Sequence, residues 1–459
     1  MVADALILAV LVQVVFWLHW SENWRIRSCL MWGFVFQFLV PYVVVAALAR
    51  WGAIPIIRQG LYEVTLTEDD WVWCLFAANV AVTAIAIGYA FVKSLMRTRV
   101  AARQLDTVTR PTESQVIAVF LVVLGGFIVW ALGVILTHGM REHFAEPLVR
   151  RGGASEHGAG FLIPLGAAAT TSAGLCLIGC TVTVWGTQAS RAAIALCAIS
   201  LLFAGLILFS AGGRGGVIQF VGIAAITFYG ARCRSVPYIV WAFAALGAVL
   251  FAVFGSVFFT NRAWDVGIAE SLLALIPAST DEVGSSLQKF VTFGQSLLHP
   301  LMIRDALERG LQLHYFRDVP LLPLYLVPKF IHGVEYYPLQ LEFMDNFPDP
   351  GGDASNNIKI VSYLFWGFGW TGVICGGAVA GAVMAMVDSW VRYATKQSVM
   401  IGSGMAFAIS FGAGFFNGGP AQLRDSLPMI LVIVALQGLL APSQRLDATA
   451  SKDAEAHRC

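Results

Sequence analysis

The sequence predicts an all-α polytopic membrane protein of about eleven transmembrane helices, counted at the roughly 20 apolar residues a helix needs to cross a bilayer, with one large extracytoplasmic loop module. Three observations predict it. Of 459 residues, 58% are hydrophobic and 12% charged, at a mean hydropathy of +0.73, a balance that rules out a water-soluble core of this size. Apolar runs of span length recur along most of the chain. They are interrupted, over residues 259–358, by a long stretch of different composition.

The runs lie near residues 2–20, 30–50, 71–92, 115–137, 161–184, 192–210, 216–231, 237–258, 360–387, 398–417 and 427–441. The first has neither a basic leader nor a small-residue cleavage site, and reads as a retained span rather than a signal peptide. Residues 93–110 carry Lys93, Arg97, Arg99, Arg103 and Arg110 against Asp106, and belong in the cytoplasm by the positive-inside rule. Every second connection agrees, through Arg25 and Arg27, Arg191, Arg232 and Arg234, Arg392 and Lys396, and the tail with Arg445, Lys452 and Arg458. An external N-terminus and a cytoplasmic C-terminus follow. The expected divisions are 1–258, eight spans with an outer loop at 138–160; 259–358, the loop module; 359–441, three further spans; and 442–459, a cytoplasmic tail.

The eight cysteines fall in spans or on the cytoplasmic side, so no disulfide framework is expected. Cys176 and Cys180, four apart in one span, have no nearby His or carboxylate and read as packing residues, not metal ligands. The module at 259–358 holds eight of the seventeen prolines, twelve acids, six bases and three histidines, which describes a folded polar unit and not a flexible linker. Helical apolar spacing over 266–276 and 285–313, with Leu297, Leu298, Leu301 and Leu311, predicts short helices lying on or between the spans.

One charge stands out among the spans. In "LFSAGGRGGVIQF", residues 208–220, Arg214 sits among four glycines at the outer membrane interface. Gly212 and Gly213 permit a tight turn, and Gly215 and Gly216 let a ligand approach the backbone at the start of the next helix. Free N–H groups beside an arginine make an anion site, with phosphate the usual occupant. The alternative is a glycine-rich connection whose arginine reaches lipid phosphate.

This Arg-Gly pair between two spans resembles the signature of bacterial O-antigen and oligosaccharide repeat-unit polymerases (Wzy-type). Two further stretches are similar to that family: "FGQSLLHPL" leading to "LYLVPKF", within 293–330, and "SNNIKIVSYLFWGFGWTGVICGGAVAG", 355–381, which matches its glycine-rich start of a late span. Gln295 and Lys329 depart from it, standing where the family would have arginine. The resemblance implies a GT-C-like glycosyltransferase of the bacterial inner membrane, periplasmic at its N-terminus. It implies transfer of a growing glycan from undecaprenyl diphosphate to the non-reducing end of another lipid-linked repeat unit. Its partners would be that lipid-linked oligosaccharide, the bilayer, and the chain-length regulator and flippase of the same pathway, with no nucleic acid.

Such a reaction needs cations for the leaving diphosphate, and arginine's planar fork suits phosphate oxygens. Arg214 leads, with the backbone of Gly213, Gly215 and Gly216 as cradle. Arg262, Arg304 and Arg317 are further candidates, each of which has the alternative of a surface ion pair, as Arg304–Asp305 and Arg317–Asp318 suggest. The acceptor hydroxyl needs a base. His332 and His299 rank first, then Glu342, with His314, Asp345 and Asp353 in the same module. Tyr315, Tyr325, Tyr336, Tyr337 and Trp366 offer flat faces for sugars or interface anchors. Glu68, Asp69 and Asp70 have two readings: an early acidic base or metal site, or the negative first turn of a helix capped by Thr67.

No cofactor and no metal are expected, because the diphosphate is an activated leaving group and arginines can neutralise it. There is no P-loop, and "GGRGG" lacks the strand and spacing of a dinucleotide fingerprint. The alternatives are an O-antigen ligase or other lipid-linked-sugar glycosyltransferase, and a lipid-linked-glycan flippase or other transporter. A transporter predicts ionisable residues inside the spans, which the runs nearly lack.

Overall fold

A computed structural model describes residues 1–20, 28–52, 57–58, 62–63, 66–100, 111–137, 139–140, 143, 161–185, 191–210, 220, 222–224, 227, 297–321, 359–394, 398–418 and 421–440. The described chain is mostly helical. In order it forms α1 (Val2–Trp20), α2 (Cys29–Arg50), α3 (Glu68–Val100), α4 (Glu113–Thr137), α5 (Leu162–Trp185), α6 (Arg191–Ser210), α7 (His299–Glu308), α8 (Ile360–Thr371), α9 (Gly377–Ala394), α10 (Ile401–Gly418) and α11 (Ala421–Leu440). A two-residue hairpin, β1 (Ile57–Arg58) with β2 (Tyr62–Glu63), pairs antiparallel between α2 and α3.

Among the described residues, six helices are long and apolar enough to cross a membrane: α1, α2, α3, α4, α5 and the composite of α8 and α9. Shorter apolar helices at Ala195–Leu208, Ile401–Phe416 and Ser426–Leu440 fall on three more of the sequence's runs. The runs at 216–231 and 237–258 lie largely or wholly outside the described residues. This is a multi-pass helical membrane protein.

Small residues set the packing, as they do where lipid supplies no hydrophobic drive between helices. α3 lies against α9. A Cβ on Gly88 would run into the Ala378 backbone, one on Gly381 into the Ile85 carbonyl, and one on Gly377 would come to 3.0 Å from Ala84 Cβ. α4 meets α5 in the same way, with Gly126, Gly133 and Gly166 at the seam. α2 widens to a π-helix over Val35–Val45, where Pro41 offers no N–H for an ordinary turn.

One polar knot lies toward the far end of α3. Asp388 is buried on α9 and accepts from Ser28 Oγ at 2.7 Å, the Cys29 amide at 2.6 Å and Tyr89 Oη at 3.0 Å. It thereby caps the N-terminus of α2 with a carboxylate and ties α2, α3 and α9 together. The other end gathers Met1, Arg50, the first turn of α3 and α7, so the N-terminus, the end of α2, the start of α3 and the described part of the loop module share one end of the bundle.

Candidate functional site

The site is built at the Met1 end, where α7 rests on the starts of α3 and α8. Leu297, Leu298, Leu301 and Ile303 are buried beneath α7, while Glu308 and Arg309 are exposed, so the amphipathic spacing read from the sequence does fasten a short helix to the spans. Thr67 caps α3: its Oγ1 accepts the Asp70 amide at 3.2 Å and donates to Asp70 Oδ2 at 2.7 Å, and the Thr67 amide donates to the same oxygen at 3.2 Å.

Those first-turn acids also hold cations. Glu68 pairs with Arg50 and lies 3.6 Å from the terminal amine. Arg304 Nη2 reaches Asp70 Oδ1 at 3.1 Å and Asp305 Oδ1 at 2.8 Å, with Glu308 Oε1 at 3.9 Å from Nε. Its guanidinium lies 5.4 Å from the Trp73 ring centre. The cap and the ion pair are thus both realised, and Arg304 is charge-matched within the protein.

His299, the first residue of α7, is buried. Burial pushes its imidazole down to about 3, with the neighbouring Lys359 charge adding to the shift. A base this weak removes protons poorly at neutral pH. Lys359, at the cap position of α8, is brought down by burial to about 8, which puts its proton near working pH. In sequence, a lone lysine before an apolar run carries no more signal than a membrane-edge anchor does.

The loop after α7 is the most constrained part of the site. α8 breaks at Phe368 (φ −146°, ψ 29°) and Gly369 (φ 60°, ψ −141°), a conformation that glycine adopts without a Cβ penalty. The His314 amide donates to the Trp366 carbonyl at 2.8 Å and the Tyr315 amide to the Gly367 carbonyl at 2.9 Å. The break and the loop therefore complete each other's hydrogen bonding, as buried backbone requires. Trp366 Nε1 donates to the Gln312 carbonyl at 3.0 Å, and Tyr363 Oη reaches both oxygens of buried Asp318 at 3.0 Å. Arg317 Nε donates to the His314 carbonyl at 3.2 Å. His314 Nδ1 is 3.8 Å from Asp318 Oδ1, too far for a hydrogen bond, and burial with the nearby Arg317 charge pulls this imidazole down to about 4.

The structure separates the aromatic candidates it describes. Trp366 is 1% exposed and serves the core; Tyr315 is 55% exposed. Of the cations and bases proposed from sequence, α7 and its loop bring Arg304, Arg317 and His299 to one end of the bundle. Arg214, Arg262, His332, Glu342, Gly213, Gly215 and Gly216 lie outside the described residues. The approach to Arg214 is described as far as Ser210, the last residue of α6. Ser210 Oγ donates to the Ile207 carbonyl at 2.7 Å and lies 3.1 Å from His143 Nε2, both residues being buried and the imidazole edge-on to Trp130. One residue of the 138–160 loop is thereby attached to the start of the "SAGGRGG" stretch. Comparison of the chain with protein-family models, with curated proteins and with solved structures finds no match.

Proposed function

We infer that this protein is a polymerase of undecaprenyl-diphosphate-linked oligosaccharide repeat units, an inner-membrane glycosyltransferase of about eleven spans that works on the periplasmic face. The observation that carries the reading is the docked loop: a charged segment, residues 297–321, is held by a buried carboxylate and two main-chain hydrogen bonds onto a broken span. A lipid-linked glycan needs such a surface, ordered and polar, at the membrane edge where its diphosphate and first sugars emerge.

Arg214 is the chosen ligand of the leaving diphosphate. Arg304 already satisfies Asp70 and Asp305, so its share in binding a dianion is indirect. Arg317 stands on the exposed side of the loop and remains a candidate second cation, as does Arg262. Lys359 joins His332 and Glu342 among the groups proposed to handle the acceptor proton, in place of His299, which burial leaves too weak a base.

The transporter reading has one observation in its favour, since discontinuous spans are common in transporters. Here, however, the Trp366 and Gly367 carbonyls at the break are taken by loop amides. The test is complementation of cells lacking this chain: wild type restores a ladder of polymer lengths, while Arg214→Ala, inserted at equal level, gives a single repeat unit. An unchanged ladder in the alanine variant removes the diphosphate role.

A further inference from the structure

We propose that Tyr315 and Phe368 form a stacking shelf for a pyranose ring of the glycan, an assignment that rests on the lipid-linked-glycan reading above and names the residues that hold the sugar. Two consecutive non-glycine residues, Tyr315 (φ 56°) and Phe316 (φ 49°), occupy the left-handed region. That conformation is strained for bulky side chains and persists only where the surroundings enforce it. Here the enforcement is the pair of amide bonds to the carbonyls at the span break.

The outcome is a division of labour between neighbours. Phe316 turns inward and packs where a Cβ on Gly367 would collide with its ring, so Gly367 is small to admit it. Tyr315 turns outward. Phe368 is thrown to the surface by the same break, 44% exposed, and its ring meets Tyr315 with centroids 5.4 Å apart at 73°. Two rings set nearly at right angles make a step: a flat ligand stacks on one and abuts the other.

Chemistry narrows the ligand. A pyranose has an apolar face of axial C–H groups and a rim of hydroxyls. Exposed Gln312 and Arg317 flank Tyr315 in sequence, and Arg317 is anchored through Nε to the His314 carbonyl, so the loop that carries the step also carries donors for that rim. A purely lipid-anchoring pair would need neither the strained backbone nor the polar neighbours.

The experiment is saturation-transfer NMR on the full chain in nanodiscs, with the methyl glycosides of glucose, galactose and N-acetylglucosamine as probes. Wild type should transfer magnetisation to the axial C–H protons of at least one probe, above empty nanodiscs. Tyr315→Asn removes the ring while suiting the left-handed backbone, so the fold is kept; the transfer should fall at least threefold, and likewise in Phe368→Ala. Tyr315→Phe should retain it. No transfer in wild type, or equal transfer in Tyr315→Asn, overturns the shelf. Failure of the polymerase reading shows separately, as transfer that depends on Tyr315 in a chain that makes no polymer.

Discussion

Tyr363 donates its hydroxyl to both carboxylate oxygens of Asp318, 3.0 Å from each, and so clamps the loop after α7 to the first half of α8. Both side chains are buried. Removing the donor takes one hydrogen-bonding group from a buried carboxylate, at a cost of about 1–3 kcal/mol. In Tyr363→Phe the amides of His314 and Tyr315, which bond across the break, should exchange with solvent faster than in wild type. Unchanged exchange there would show that the main-chain bonds hold the loop by themselves.

Acid should loosen the same loop. His314 is held at about 4 against an ordinary 6.5, and His299 at about 3. Between those values the unfolded chain binds more protons than the folded one, so stability falls as pH drops below 6.5 and is fully present above it. Limited proteolysis of the 311–321 loop in detergent should rise from pH 6.5 toward pH 4, and His314→Gln should flatten part of that rise. Greater resistance at pH 4 than at pH 7 would reverse the sign and refute the buried-neutral assignment.

Arg304 is read as an anchor, and its partner defines the test. The pair with Asp70 is partly exposed, 26% and 21%, so a double-mutant cycle with Arg304→Ala and Asp70→Ala should give a coupling of about 1 kcal/mol or less in thermal unfolding. Polymer formation should survive Arg304→Ala with a reduction of a few-fold. Total loss of polymer with unaltered stability would return Arg304 to the diphosphate site.

Adjacent glycines on α4 separate packing from propensity. A Cβ at Gly126 would sit 2.7 Å from Ala169 Cβ and 2.8 Å from the Thr170 amide nitrogen, whereas at Gly125 nothing lies within 4 Å. Gly126→Ala should force α4 from α5 and lower the unfolding temperature. Gly125→Ala should be neutral or stabilising by up to about 1 kcal/mol, the intrinsic helix preference of alanine. Equal effects of the two substitutions would mean that α4 and α5 do not meet at this seam.

Much of this was legible in the sequence because it is local. Nine of the eleven apolar runs coincide with helices among the described residues, the Thr67 cap is realised, and the leucines of 297–311 do seat α7. The break at Phe368–Gly369 was not legible: "WGFGWTG" is continuously apolar, and the hydrogen bonds that make a break tolerable come from a loop some fifty residues earlier. Asp388 escaped for a similar reason. It closes an apolar run and looks like a membrane-edge residue, while its three donors come from α3 and the start of α2. Arg304 shows the reverse case, since Asp305 beside it signalled an ion pair but Asp70, 234 positions away, could not be seen.

The most direct measurement of the central claim uses the purified chain in proteoliposomes, supplied with lipid-linked repeat units isolated from cells that lack it. The account predicts products of increasing repeat number, release of undecaprenyl diphosphate in step with each bond formed, and loss of both in Arg214→Ala. Repeat units that stay single, with no diphosphate lipid released, would contradict it.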